Sequence, residues 1–150
     1  MPTWFSLNDL HYLLPELVLT GATLLLLVAS ALTPRRNQRW LSWFGLAALT
    51  ATAMALIYVS GGPPVNVSRG LIAVDAFATF FKGIFLLSAA LTLLMSMRYL
   101  DIEGANHGEY VFMVLCATIG MMFMAGGTDL IMIFIGLETM AISFYILTGF

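Results

Sequence analysis

Charge is what this sequence has least of. Only 9% of its 150 residues are Asp, Glu, Lys or Arg, while 61% are hydrophobic. A soluble domain carries about 25% charged residues and needs polar surface to cover its core, so a water-soluble globular protein is excluded. The same hydrophobic content excludes an intrinsically disordered chain. Six basic residues and a net charge of −2 leave no footprint for nucleic acid. Cys116 is the single cysteine, so no internal disulfide forms. Zinc and iron–sulfur sites need several thiolate or imidazole ligands, and none cluster here. No glycine-rich phosphate loop and no short-period repeat is present. The longest polar stretch, 98–109, is too short for a soluble domain. What remains is an integral membrane protein.

The few charges cut the chain into apolar pieces long enough to cross a bilayer, which takes about 20 residues at about 1.5 Å rise each. Five spans are expected, at about 14–32, 40–60, 74–97, 110–125 and 130–148. Pro15 and Glu16 suit the first turn of span one. Thr33-Pro34-Arg35-Arg36 closes that span, and Gly61-Gly62-Pro63-Pro64 closes the second. The turn Gly126-Gly127-Thr128-Asp129 leads into the fifth, with Thr128 or Asp129 as N-cap. Runs such as Leu24-Leu25-Leu26-Leu27-Val28 do not alternate in polarity, as barrel strands would. The predicted fold is therefore all-α: one polytopic membrane region with five transmembrane helices. Span one lacks a basic leader and reads as retained rather than cleaved.

Arg35, Arg36 and Arg39 in one loop and Arg98 in another oppose the lone Arg69 between spans two and three. The positive-inside rule then places the N-terminus outside and the loops at 33–39 and 98–109 inside. Trp4, Trp40, Trp43, Tyr58, Tyr99 and Tyr110 fall where interfacial aromatic belts would lie.

One residue stands out. Glu138 lies eight residues after Leu130 and ten before Thr148, near the bilayer midplane. A carboxylate there costs at least a few kcal/mol, which makes proton transfer the default role. Burial raises its pKa and a nearby cation lowers it, so a carboxyl held between the two takes up and releases protons. The competing role is a protonated acid bonded to a neighbouring helix. Lys82 lies about eight residues into span three, and spans three and five run the same way. The matched depth makes Lys82 an expected partner for Glu138, with snorkelling to the outer surface as the alternative. Asp75 reads as a solvated acid in the first turn of span three. His11 and His107 are expected to be solvated near the interfaces, and Asp101, Glu103 and Glu109 to form a wet loop. Gly120, Gly136, Ala117 and Ala141 suit close helix contacts. Met121, Met122 and Met124 read as packing, and Cys116 as a small buried apolar residue.

The stretch from Phe134 to Phe150, FIGLETMAISFYILTGF, closely resembles the fifth transmembrane helix of subunit N of proton-pumping NADH–quinone oxidoreductase, respiratory complex I (subunit 2 in mitochondria). Leu13-Leu14-Pro15-Glu16 looks like the start of that family's first helix, Val74-Asp75-Ala76-Phe77 like the lead into its third, and Glu109-Tyr110 like the lead into its fourth. The related antiporter-like subunits usually carry Trp before the glutamate. Gly136-Leu137 stands there instead, which favours subunit N. The resemblance runs along the whole chain. It implies a membrane-arm subunit that couples electron transfer from NADH to quinone to proton translocation, as part of a multisubunit enzyme and with no redox chemistry in this chain. NADH, FMN, iron–sulfur clusters and quinone would be bound by other subunits. The implied partners are the antiporter-like M subunit, small K- or J-type membrane subunits and the lipid bilayer of an energy-transducing membrane, here a bacterial plasma or inner membrane. It also implies that the chain is the first part of a subunit roughly three times as long. The family's proton route continues from the helix-five glutamate to a lysine on a broken seventh helix and to later lysines. Glu138 alone carries over, since Lys82 matches no family motif residue. Two other functions remain open: the antiporter subunit of a multisubunit cation/proton exchanger, and an assembly or packing subunit that moves no ion.

Overall fold

The computed structural model describes residues 7–34, 38–61, 65–67, 70–104 and 106–149. A short helix α1, Leu7–Tyr12, leads into α2, Leu14–Leu32, and then α3, Arg39–Ser60. A hairpin of β1, Val65–Val67, and β2, Ile72–Val74, follows. The chain ends with α4, Ala76–Glu103, α5, His107–Gly126, and α6, Leu130–Thr148. The five longer helices are each long and apolar enough to cross a membrane, so the protein is an all-α polytopic membrane protein. Arg35, Arg36, Arg69 and Trp4, which entered the reading of orientation and interfaces, lie outside the described residues, as do residues 62–64 of the expected turn.

Local sequence accounts for most of the boundaries. Pro15 occupies the first turn of α2, where its missing N–H costs nothing. Asp75 is the N-cap of α4: its side chain accepts from the Ala78 N–H at 2.7 Å. Asp129 caps α6 in the same way, accepting from the Ile131 N–H at 3.2 Å. Asp75 is thus a capping group half-buried at the helix start rather than simply a solvated acid.

Two spans differ from their expected bounds. Helix α4 continues six residues past Met97, through Arg98 and Asp101 to Glu103, before Gly104 stops it in the left-handed region at φ 66°. A glycine adopts that conformation without the steric cost other residues meet. At 28 residues the helix is about 42 Å long, more than the hydrocarbon core requires, so its last turns project beyond it. Helix α5 begins at His107, a turn before Tyr110.

The described helices pack around a core of Leu19, Leu26, Leu41, Leu49, Leu86, Leu93, Val111, Leu115 and Met122. Helix α5 is the most enclosed, touching α2, α3, α4 and α6. Helices α5 and α6 meet backbone to backbone. A Cβ placed on Gly120 would stand 2.7 Å from the Gly136 carbonyl oxygen, and one on Gly136 would stand 2.8 Å from that of Gly120. Small residues allow this approach, which is how apolar helices gain contact in a medium as apolar as themselves.

The hairpin was not expected from sequence. Val65, Asn66 and Val67 pair antiparallel with Val74, Ala73 and Ile72. The hairpin is stitched to the α5–α6 turn: Ile72 bridges Gly127, the Thr128 N–H donates to the Leu71 carbonyl at 3.1 Å, and the Thr128 hydroxyl donates to the Gly70 carbonyl. Val67 and Ile72 are buried. The hairpin therefore closes the end of the bundle at which α2, α4 and α6 begin.

Candidate functional site: two carboxylates within the helices

Lys82 is the chain's only lysine. It sits on the face of α4 that also buries Ala78, Leu86, Ala89 and Leu93, and it is 3% exposed. An ammonium this enclosed requires a counter-charge. The structure supplies Glu16 rather than Glu138: Lys82 Nζ stands 2.5 Å from Glu16 Oε1. Glu16 is equally buried, at 3%. The expected pairing of Lys82 with Glu138 is therefore corrected.

The reason is the direction of the lysine stem. Lys82 is about 9 Å below the start of α4, and Glu16 about 3 Å below the start of α2. Side chains on a helix tilt toward its N-terminus. The long stem of Lys82 follows that tilt, and its head rises toward the end of the bundle where Glu16 sits. It snorkels, as one sequence alternative held, but to a buried carboxylate rather than to water. Sequence reasoning read Glu16 only as a helix-start acid. The depth comparison applied to Glu138 also fits Glu16 once the stem's direction is included.

The pair lies under the hairpin and the α5–α6 turn. A Cβ on Gly126 would stand 3.3 Å from Lys82 Nζ and 3.4 Å from the Ala73 carbonyl oxygen. Glycine at 126 thus lets the α5 backbone approach the ammonium. The second oxygen of Glu16, Oε2, is buried and has no hydrogen-bond partner among the described residues.

Glu138 has the opposite setting. It is the ninth of the 19 residues of α6, about 12 Å from one end and 15 Å from the other. Only Gly136 and Ser143 are buried on this helix, both on the side facing α5. Glu138 is exposed, in a stripe with Ile131, Phe134, Ile142 and Tyr145 at helical spacing. It is the one charged group in an otherwise apolar, outward-turned stripe.

A third polar cluster ties the other end of the bundle. His107 Nδ1 lies 3.1 Å from Ser42 Oγ, and its Nε2 lies 3.2 Å from Asp101 Oδ1. Arg39 Nε approaches Asp101 Oδ2 at 3.6 Å. The Gln38 side chain donates to the Ser30 and Thr33 carbonyls and accepts from the Gly108 N–H. His107 is 7% exposed, which corrects its expected solvation, and Asp101 belongs to a helix rather than a loop. A Ser–His–Asp chain invites comparison with a hydrolytic triad, but Ser42 is 1% exposed and no acyl group reaches its hydroxyl. The cluster fastens α3, α4 and α5 together.

Comparison with known proteins identifies the scaffold. No protein-family model matches the chain. It is 40% identical over 159 aligned residues to NADH-quinone oxidoreductase subunit N 1 of Koribacter versatilis, covering 100% of this chain and 31% of that relative. It is 38% identical over 146 residues to subunit N of Trichlorobacter lovleyi, covering 97% and 30%. The chain is homologous to part of subunit N of NADH-quinone oxidoreductase. NAD(P)H-quinone oxidoreductase subunit 2 of Nostoc punctiforme is 38% identical over 139 residues, covering 92% of this chain and 26% of the relative. The chain thus spans about a third or less of the subunit N and subunit 2 proteins it matches. Within that shared region it contains both carboxylates, Glu16 sealed inside and Glu138 facing out.

Proposed function

We propose that this chain is part of the membrane arm of an NADH–quinone oxidoreductase, and that Glu138 is the protonatable group through which it takes part in proton translocation. The observation that carries this is the setting of Glu138: a carboxyl half-way along a membrane-length helix, turned outward in an apolar stripe. Facing lipid, a charged carboxylate costs several kcal/mol. The stripe is therefore a face that meets protein or internal water. A carboxyl on such a face binds a proton when its surroundings are apolar and releases it when a cation approaches.

In this reading NADH oxidation through FMN and iron–sulfur clusters, and the reduction of quinone, occur in other subunits, and this chain holds no cofactor. Its partners are other complex I membrane subunits, an antiporter-like M subunit and small K- or J-type subunits among them. Its site is a bacterial plasma or inner membrane, with the hairpin end outside. In this reading Lys82 is the counter-ion of Glu16 rather than the partner of Glu138.

Glu138→Gln in the full-length subunit, within the assembled complex, tests the proposal. The amide keeps the size and loses the proton. Expected is a lower ratio of protons moved to NADH oxidised in sealed vesicles, with normal assembly. An unchanged ratio with intact assembly would assign the chain a packing role instead. Sodium-dependent proton movement with no dependence on NADH would indicate a cation/proton exchanger.

A further inference from the structure

The start of α4 borders a cleft that neither the buried ion pair nor Glu138 uses. It measures about 690 Å³ and is lined by Val59, Ser60, Asp75, Phe77, Thr79 and Phe80 among others. Val59 and Ser60 end α3, and the other four cap or open α4. The cleft therefore sits at the level where two membrane-length helices reach the bilayer surface. Asp75 stands at its outer end. From Phe80 an apolar surface continues inward along α4 through Ile84, Leu87 and Leu91, all exposed and at helical spacing. Phe80 to Leu91 covers about 17 Å, close to half of a hydrocarbon core of about 30 Å.

Shape and charge say what fits there. The contact between α5 and α6 is made by Gly120 and Gly136, small residues that admit a second backbone. The outward stripe of α4 is bulky instead, and Phe77 and Phe80 are about two-thirds exposed. Such a surface suits a flexible acyl chain better than a second helix. Asp75 is the one charged residue lining the cleft, and it makes no ion pair among the described residues. Its Oδ1 accepts from the Ala78 N–H, which leaves a second oxygen to accept elsewhere. Basic side chains, which draw anionic headgroups, are exposed at the opposite end of the same helices, at Arg39 and Arg98. The Thr79 hydroxyl also lacks a partner among the described residues, whereas Thr92 and Thr118 each donate to the carbonyl four residues earlier.

We propose that the cleft seats a phospholipid with a primary-amine headgroup, of the phosphatidylethanolamine type. Its ammonium donates to the second oxygen of Asp75. The Thr79 hydroxyl donates to an oxygen of the phosphate–glycerol region, and one acyl chain runs from Phe80 along the stripe to Leu91. A choline headgroup is also cationic but has no N–H to give the carboxylate, and charge-assisted hydrogen bonds are the stronger kind. An anionic headgroup without an amine meets Asp75 as a like charge. The site is separate from Glu138, so it stands whether or not Glu138 moves protons.

The full-length subunit in the assembled complex provides the test, probed with a phosphatidylethanolamine that carries a photoactivatable diazirine on its acyl chain. Illumination should label a peptide containing Phe80 to Leu91. Unlabelled phosphatidylethanolamine should compete for that labelling about fivefold better than phosphatidylcholine, the discrimination that one exposed ion pair gives. Asp75→Asn should abolish this preference while labelling persists, because asparagine caps a helix as well as aspartate does. Equal competition by the two lipids in the wild-type complex would overturn the proposal, and so would a preference that survives in Asp75→Asn. Absence of label on the stripe would overturn it too, and a cryo-EM map showing protein against Phe80 and Leu87 would then make a helix the occupant. The wild-type competition requires no variant, so poor assembly of Asp75→Asn leaves the proposal open to refutation.

Discussion

Glu16 and Glu138 are the same side chain in two settings. Glu16 stands near the start of its helix, where water is close, yet it is sealed in the core against Lys82. Glu138 stands half-way along its helix, where water is remote, yet it is turned away from the core. Depth along a helix and burial in the bundle are therefore independent coordinates. A carboxylate paired with a buried cation makes each depend on the other, since removing one leaves an uncompensated charge in the core. Glu138, exposed half-way along its helix, makes no such ion pair among the described residues.

The contrast breaks most readily at the ion pair. Lys82→Met strands the Glu16 carboxylate in the core and should cost about 3–5 kcal/mol, read as loss of the subunit from the assembled complex. Glu16→Gln combined with Lys82→Met removes both charges and should restore much of that assembly, because a neutral pair has no uncompensated charge to bury. If the double variant assembled no better than the single one, the pair would not be the fastening described. Gly136→Ala comes next. Its new methyl meets main-chain atoms of Gly120 and Met124 rather than flexible side-chain ends, so α6 must lift from α5. A loss of about 1–3 kcal/mol in detergent-titrated unfolding is expected. Glu138→Gln, by contrast, should leave stability almost unchanged, since the side chain is exposed and no core contact depends on it. Unfolding at a clearly lower detergent concentration would show that Glu138 is structural after all. Smallest is Arg39→Ala. The Arg39 side chain is largely exposed, so losing its contact with Asp101 should cost under about 1 kcal/mol by the same measurement.

The helices were largely legible in the sequence because charge is so rare that each charged residue marks a boundary. Leu14–Leu32 and Leu130–Thr148 follow directly from where charge and turn residues fall. The same logic misplaced the end of α4. Arg98 reads as a stop only if helices end with the hydrocarbon core, and this one continues to Glu103 before Gly104 ends it. The hairpin was hidden for a different reason. Its strands are three residues each, too short for an alternating pattern, and they are held by Gly127 and Thr128, more than fifty residues away. At the site, the position of Glu138 was visible from counting residues. The partner of Lys82 was not, because partner choice depends on the azimuth of each residue around its helix and on which way a long stem leans. His107 was misread on the same grounds, since a residue at a helix start is buried when a neighbouring helix carries a serine to meet it.

The contact between Gly120 and Gly136 has a consequence for how Glu138 is aimed. Helices that touch through side chains can exchange one rotamer set for another and so rotate against each other by degrees. Here main chain rests on main chain at Gly120 and Gly136, where there is no side-chain end to readjust. Helix α6 is in effect keyed to its neighbour like a shaft in a slot. It can tilt together with α5, but turning about its own axis means leaving the slot. The bearing of Glu138 around α6 is thus held by two glycines on the opposite side of the helix.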